Sequence, residues 1–532
     1  MNKKLYTTVF AILILNTIAF PQNFEWIRSN AVGYSLNPAL STYSVCTSAS
    51  GKAYASRLDS MIFYFGNIYG IEKIDCYDSN GQLQWIYEFG QKAIIQRIAA
   101  DADGNIYAAG SFLDNLLVGG HDSIINTGPS LTTNTFLMSL DSMGTLRWKR
   151  NLTTTHPNAE RISAIHFDPQ GRCWYGFSDF NTTSIIRVDS LGQDDLTRSI
   201  QGTRALGGFD FDPQGNLFVS GSTEGGYTLA TGGLSVNVND SYMMYVLRMD
   251  AGGTGSWIRL AHDVTFQEPV VVCDPWGGAY LGGGLMDSAV WGNVILEGPQ
   301  WVYDFFLTNV DSLGNFGWGV EVPHTSGGIT GDFQRGDNMF MDVDALGNVY
   351  LTGVTRGVVD WGNGVVSGAG APVYSSVSIL SFDQNGTARW SKQGGGYNYH
   401  DAYALALNQQ GDCYFAAVAR DTIMFDTISV NLGGGLAFVL GKISTPLATS
   451  IYTSKNEEQF HVYPNPTKDQ VTIEFDSPEN FFEIQDVTGK LLKKEEVHVR
   501  VYELDLRALK SGLYFLTAGD KNRKQHLKIV KE

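Results

Sequence analysis

Asp344-Ala-Leu-Gly347-Asn348-Val349-Tyr350-Leu351-Thr352-Gly353 is a tight turn followed by an apolar, β-branched and aromatic run. Asp at the head of the turn can accept from the backbone two residues on, and Gly supplies the positive φ that closes a hairpin. Val349 to Leu351 has the composition of a strand. The stretch recurs as Ser48-Ala-Ser-Gly51-Lys-Ala-Tyr54, Asp101-Ala-Asp103-Gly104-Asn105-Ile-Tyr107, Asp168-Pro-Gln-Gly171-Arg-Cys-Trp174, Asp212-Pro-Gln-Gly215-Asn216-Leu-Phe218, Asp274-Pro-Trp-Gly277-Gly-Ala-Tyr280 and Asn408-Gln-Gln-Gly411-Asp-Cys-Tyr414. In chain order the turn glycines fall 53, 67, 44, 62, 70 and 64 residues apart, as expected of a four-stranded unit repeated with variable loops. No helical periodicity of comparable length precedes the C-terminus.

A second turn follows in most units: Asp78-Ser-Asn-Gly81-Gln-Leu-Gln-Trp85, Asp141-Ser-Met-Gly144-Thr-Leu-Arg-Trp148, Asp250-Ala-Gly-Gly253-Thr-Gly-Ser-Trp257, Asp311-Ser-Leu-Gly314-Asn-Phe-Gly-Trp318 and Asp383-Gln-Asn-Gly386-Thr-Ala-Arg-Trp390. The third unit has Asp189-Ser190-Leu191-Gly192 without the Trp, and the seventh ends near Ser444 without the motif. Phe24-Glu25-Trp26-Ile27-Arg28 matches Gln84-Trp85-Ile86 and Ser256-Trp257-Ile258-Arg259, so the first strand of the chain fits the gap in the last unit. An array closed in this way has no free sheet edge, and a closed ring of such units is a β-propeller. The sequence predicts an all-β chain with a seven-bladed β-propeller over residues 22–444, closed by its N-terminal strand. The recurring Asp, Gly and Trp are read as turn chemistry and inter-blade core rather than as ligand groups.

These copies resemble the short β-propeller repeat of secreted bacterial proteins, which reads Asp-x-x-Gly-Asn-x-Tyr-x-x-Gly and then Asp-x-x-Gly-x-x-x-Trp. The resemblance implies a fold and an extracellular setting, and brings no catalytic residues.

Residues 1–21 read as a signal peptide: Lys3 and Lys4, the apolar run Val9 to Leu15, and a small-residue stretch around Thr17-Ile-Ala19. That run is too short for a membrane helix, and no transmembrane span is expected. Five cysteines in 532 residues do not make a disulfide scaffold. Cys46 with Cys76 or with Cys413 is the pairing geometry leaves open, against a reading of buried free thiols. From Lys455 onward acids and bases nearly cancel, at net −1, so −16 of the net charge of −17 lies in the part before it. That balance argues against nucleic acid or an anionic membrane as partner, since phosphate binding needs clustered Lys and Arg.

Ser444-Thr-Pro-Leu-Ala-Thr-Ser-Ile-Tyr-Thr-Ser-Lys455 reads as a linker, placed at residues 445–456. Beyond it, residues 457–532 alternate apolar and polar at Val471 to Phe475, Phe482 to Ile484, Val497 to Val501 and Leu527 to Ile529, with turns at Asp486-Val-Thr-Gly489 and Ala518-Gly519-Asp520. The pattern predicts a small immunoglobulin-like β-sandwich.

Tyr463-Pro464-Asn465-Pro466, the turn ending at Gly489, Gly512-Leu-Tyr514 and a terminal basic strand with Lys528 and Lys531 resemble, in this order, the type A C-terminal sorting domain of the type IX secretion system. The resemblance implies a Bacteroidetes lineage, passage through the periplasm, and recognition of the tail by an outer-membrane translocon and its sorting machinery. It also implies delivery to the cell surface or the extracellular medium. Asp-Ser or Asp-Thr before an apolar residue, as at Asp122, Asp141, Asp189, Asp287, Asp311, Asp421 and Asp426, is similar to the O-glycosylation acceptor of exported proteins of that lineage, and is equally ordinary turn chemistry.

No His-Glu-x-x-His, Gly-x-Ser-x-Gly, Gly-x-x-x-x-Gly-Lys or Cys-x-x-Cys occurs, and His156, His166 and His400 stand singly near repeat boundaries. The Asp-Gly-Trp spacing fits neither sialidase Asp boxes nor quinoprotein repeats. No catalytic, cofactor-binding or metal residue is assigned. Calcium is the one cofactor with a place in the sequence, at Asp101-x-Asp103-x-Asn105, where the hairpin reading is preferred because later units keep the turn without the acids. The reading is a non-catalytic exported binding or scaffold protein with a glycan or protein ligand on the propeller face. The alternatives are a polysaccharide hydrolase or lyase, for which paired carboxylates from separate units would have to converge, and a structural adhesion component.

Overall fold

The computed structural model describes residues 22–32, 43–64, 67–129, 132–262, 268–285, 288–297, 304–323, 331–368, 374–395, 398, 400–444, 460–475, 480–486, 490–519 and 524–531. The chain divides into two compact units, with the division between Pro446 and Leu447. Among the described residues the regular elements are strands, apart from one 3-10 turn at Leu152–Thr154.

Each copy of the first turn joins the first two strands of an antiparallel, four-stranded sheet, and each copy of the second joins the last two. Ala93–Ala100, Ile106–Phe112, Asn134–Leu140 and Leu146–Asn151 make one such sheet. The turns have the chemistry their sequence requires. Asp101 Oδ1 accepts from the backbone of Asp103 at 3.0 Å and of Asn105 at 2.8 Å, and Asn408 does the same for Gln410 and Asp412. Gly347 has φ +71° and Gly144 φ +83°, values an L side chain rarely adopts.

The N-terminal strand Asn23–Val32 pairs with Ile428–Ser444, with Asn23 opposite Ser444. It completes the sheet of Asp401–Leu407 and Cys413–Phe425. Its register shift between Phe24 and Trp26 recurs where the other units enter their fourth strand, between Ser139 and Leu140, Arg248 and Met249, and Ser381 and Phe382. The first strands lie side by side in chain order: Val45–Thr47, Ala93–Ala100, Ile162–Phe167, Ala205–Phe211, Val270–Cys273, Met341–Val343 and Asp401–Leu407, the last also lying against Val45–Thr47. Trp26, Val45 and Ala53 share a buried cluster with Tyr403, Tyr414 and Phe438, so the first and last repeats have a common core.

The Trp motif supplies the contacts between units. Each Trp packs on the aromatic of its own first turn: Tyr54 with Trp85, Tyr107 with Trp148, Tyr280 with Trp318, and Tyr414 with Trp26, all with ring centroids 5.9 Å apart. It also covers the second-turn glycine of the next unit. A Cβ on Gly81, Gly144, Gly192 or Gly386 would lie between 2.5 and 2.9 Å from the rings of Trp26, Trp85, Trp148 or Trp318. In the third unit, where the sequence lacks the Trp, Arg198 takes its place: a Cβ on Gly253 would lie 2.4 Å from its guanidinium, and Arg198 Nη2 donates to Ala251 O at 3.2 Å.

Hairpins between second and third strands lean on the preceding unit, as the bridges Phe89 to Val118, Gln201 to Ala230 and Gly394 to Phe425 show. The cysteines are free. Cys46 and Cys76 both face Tyr54, one on either side, so two strand spacings of about 4.8 Å separate them, more than a disulfide spans.

The second unit has two sheets around one core. Phe460–Tyr463, Gln470–Phe475 and Val501–Asp505 form the first, and Leu491–Val497, Asn480–Asp486, Gly512–Gly519 and Lys524–Lys531 the second. Val471, Ile473, Phe482, Ile484, Leu504, Leu516 and Ile529 are buried between them. The alternation from Val497 to Val501 predicts one strand; instead it is broken, with Val497 ending a strand of one sheet and Val501 starting a strand of the other. Val499 and Val501 are exposed, because the chain changes layer there.

Candidate functional site

The first strands carry a shared irregularity. Gln96, Ser163, Gly207 and Tyr403 each stand at a register shift against the second strand, and bulges of this kind re-aim the side chains beside them. At Gly207 the neighbouring unit approaches so closely that a Cβ would fall 2.1 Å from Pro269 O and 2.8 Å from Glu268 Cβ. The sixth unit makes the same departure more strongly. Gly331–Arg335 and Met341–Val343 both pair with Val349–Gly357, and the residues between them loop out. Asn338, buried in that loop, donates to Tyr43 O at 2.8 Å and to Gln96 O at 3.4 Å, which ties the sixth unit to the first and second.

Charged residues gather at this level. Arg97 follows the bulge at Gln96, Arg161 precedes Ile162, Glu268 precedes Pro269, Arg335 and Asp337 flank Gly336, and Asp401 precedes Ala402. Arg97 is buried, with Nε donating to Ser163 O at 2.6 Å and Nη1 to Gln96 O at 2.8 Å. Gln96 Oε1 accepts from Ile162 N at 2.9 Å. Arg335 Nη1 donates to Gly336 O at 2.9 Å, its guanidinium carbon lies 5.2 Å from the Phe340 ring centroid, and its Nε is buried without a hydrogen-bond partner. Glu268 Oε1 accepts from Ser222 Oγ at 3.4 Å.

The electrostatics follow from burial. Arg97 is held well below the ordinary guanidinium range, first by desolvation and then by the charges of Arg161 and Arg335. Desolvation lowers Arg335 too, with Asp337 and Glu268 opposing and Arg161 reinforcing it. Burial raises the carboxyls of Glu268, Asp337 and Asp401. Arginine keeps its proton in proteins, so these shifts mean that the guanidiniums are under-compensated.

The far ends of the first strands carry a different set, His166, Asp210 and Asp342, each two residues ahead of the Asp of its turn. Here the carboxylates join units. Asp210 Oδ2 accepts from Cys273 N at 2.8 Å, and Asp342 Oδ2 from Leu407 N at 2.7 Å, each reaching the next unit's first strand. Their other oxygens accept from Phe211 N and Val343 N at 2.8 Å, and His166 Nδ1 lies 3.4 Å from Asp210 Oδ1. Burial pushes the Asp342 carboxyl up to about 6. His156 lies elsewhere, bonded to Asp194 at 2.9 Å, and His400 is buried with Nε2 unpartnered.

Asp101, the head of the calcium-like stretch, uses Oδ1 on two backbone N–H groups and Oδ2 on Asn105 Nδ2 at 2.8 Å. Among the described residues no group of three or more His, Cys, Asp or Glu side chains is arranged to hold a metal ion.

In the second unit, Tyr463 ends a strand, and its hydroxyl donates to Glu474 Oε2 at 3.1 Å. Pro464 and Pro466 are exposed and follow cis peptide bonds. Asn465 between them clamps the terminal strand: Nδ2 donates to Lys528 O at 2.5 Å, and Oδ1 accepts from Val530 N at 2.9 Å. Gly512 pairs with Lys531 and Tyr514 with Ile529. The Tyr514 hydroxyl donates to Lys510 O at 2.8 Å, and buried Lys531 donates to Lys468 O. Lys528 is exposed. Gly489 lies outside the described residues. The motif at the head of the tail is thus held against the motif at its end.

The arginine cluster escaped the sequence reading because its members have no common offset from the turn Asp, since each bulge changes the count. Charged residues inside otherwise apolar first strands, as at Arg97 and Arg335, are the signal that points to it.

No curated protein matches the chain in sequence. Among solved structures, a streptogramin B lyase shares 11% identity over 78% of this chain and 97% of its own, with a TM-score of 0.36. PorZ of Porphyromonas gingivalis, described as an essential surface component of the type IX secretion system, shares 11% over 91% and 73%, at 0.19. A Bacteroides caccae protein of unknown function shares 13% over 57% and 94%, at 0.28. None of these similarities is close enough to bring an activity with it. Residues 461–532 match the family model of the secretion system C-terminal sorting domain, and this tail marks the chain for export by type IX secretion to the cell surface or the extracellular space.

Proposed function

We propose that the chain is a non-catalytic recognition module: a seven-bladed β-propeller, closed by its N-terminal strand and delivered by an immunoglobulin-like sorting tail. Pairing of Asn23–Val32 with Ile428–Ser444 supports the closure, and the two-sheet core of the tail supports the sandwich. One observation carries the functional reading. Charged groups from repeats far apart in sequence collect at one end of the first strands with donors to spare, whereas the carboxylates at the other end are occupied as backbone acceptors between units. A general acid–base pair must be free to exchange protons with a substrate, and Asp210 and Asp342 are committed to the frame. Loop-bearing faces built by a rigid scaffold suit ligand recognition. The partners on this reading are the type IX translocon for the tail and a glycan or protein for the propeller face.

The test is a binding and turnover screen of the chain from Asn23 onward against glycans and matrix proteins, with and without calcium. Saturable binding without product is expected. Product release would replace this reading with a polysaccharide-cleaving enzyme, and neither binding nor turnover would favour a structural adhesion component.

A further inference from the structure

Resting on the recognition-module reading, the geometry points to a carboxylate-bearing sugar, a uronic acid, as the ligand of the bulge layer, gripped by Arg97, Arg161 and Arg335. Arg97 and Asn338 both donate to Gln96 O, at 2.8 and 3.4 Å, which brings the guanidinium of the second unit beside the loop that carries Arg335. Among the described residues, none of the three arginines has a carboxylate within ion-pair distance. Arg335 Nε is buried with no acceptor at all. A buried donor left unpaired weakens the fold, and an oxyanion entering this layer would satisfy it. Guanidiniums match a carboxylate through paired N–H groups, which makes them selective for planar oxyanions.

The acids in the same layer narrow the class. Glu268 and Asp337 stand beside Arg335 and would repel a long polyanion. They are acceptors, and what suits acceptors is a ligand with hydroxyl groups next to a single negative charge. A sugar acid offers that combination. The net charge of −17 acts in the same direction, admitting a monoanion at a local positive site while opposing a long polyanionic chain.

Isothermal titration of the chain from Asn23 onward with galacturonate, galactose and inorganic sulfate tests the site. Galacturonate is expected to bind saturably and galactose not, and sulfate is expected to compete with galacturonate. R97Q and R335Q, each first shown folded by its thermal melt, should weaken galacturonate binding at least about tenfold, and R335K should fall between. If both Gln variants fail to fold, sulfate competition in the unaltered chain carries the test. Equal binding of galactose and galacturonate, sulfate binding without galacturonate binding, or folded R97Q and R335Q that bind like the parent would each overturn the assignment. Binding of some other glycan or protein in the wider screen would then leave the recognition-module reading standing without this site.

Discussion

Trp26 Nε1 donates to Ser79 O at 3.1 Å, the bond that Trp85 makes to Ser142 O at 3.2 Å and Trp257 to Ser312 O at 3.0 Å between consecutive repeats. The strand Asn23–Val32 therefore meets the first repeat as the fourth strands that carry Trp85 and Trp257 meet their successors. Trp390 has no such option, because the seventh unit has no second turn to cover, and its Nε1 is buried without a partner.

The two indoles should respond differently to loss of the N–H. W26F leaves the Ser79 carbonyl only the longer bond from Lys442 Nζ, at 3.4 Å, and should cost about 1 kcal/mol more than W390F, which removes an unpaired donor. Urea unfolding of both variants measures the difference. Equal costs would mean that the Trp26 bond contributes nothing.

Gly144 and Gly120 separate backbone strain from contact. Both have positive φ, but a Cβ on Gly144 would lie 2.9 Å from the Trp85 ring, while nothing stands within 4 Å of one on Gly120. G120A should cost about 1–2 kcal/mol, the price of a left-handed alanine, and G144A distinctly more because Trp85 must move. Denaturant midpoints decide it, and matching shifts would show that Trp85 yields freely.

Two buried groups give stability opposite slopes with pH. Burial drops His400 from 6.5 to about 4, so between those values the unfolded chain takes up a proton that the fold refuses, and stability is lost as pH falls through this window. Burial raises Glu72 from 4.5 to about 8, against the Ile95 N–H and the Arg57 charge. There the fold holds a proton that the unfolded chain has released, and stability is lost as pH rises from 4.5 to 8. Each effect amounts to a few kcal/mol at most. H400Q should flatten the melting temperature between pH 6.5 and 4, and E72Q should raise it at pH 8 relative to the parent. Unchanged slopes in both would show that neither group is held away from its ordinary value.

Asn465 is the clamp of the tail. N465A removes two bonds to the terminal strand and should destabilise the sorting domain by about 1–2 kcal/mol, with more of the chain retained in the periplasm. Fractionation of cells expressing the variant reads this directly. Normal export would show that the clamp is dispensable for recognition.

The repeats were legible because turn chemistry is local: an Asp that caps its own turn and a Gly at positive φ leave fixed spacings, and the Trp follows at a constant distance. The closing strand was legible because Trp26-Ile27-Arg28 repeats Trp257-Ile258-Arg259. The recognition layer was not, since Arg97, Arg161 and Arg335 come together only through bulges and a looped-out segment that shift each offset separately. The tail motif was legible as residues but not as a clamp, because the bonds from Asn465 to Lys528 and Val530 span almost the whole domain. Substitution of Arg198 at the missing Trp was hidden for a related reason: it lies two residues beyond the expected position, on the same face of its strand.

The pairing of Asn23 with Ser444 also sets a timetable. The strand Asn23–Val32 must wait for its partner until nearly the last residue of the repeat region has been synthesised, and closing so long a loop is slow even though each doubling of its length adds only about 0.6 kcal/mol. The tail is made after that residue. In order of synthesis, then, the cargo has all its strands before its address can be read.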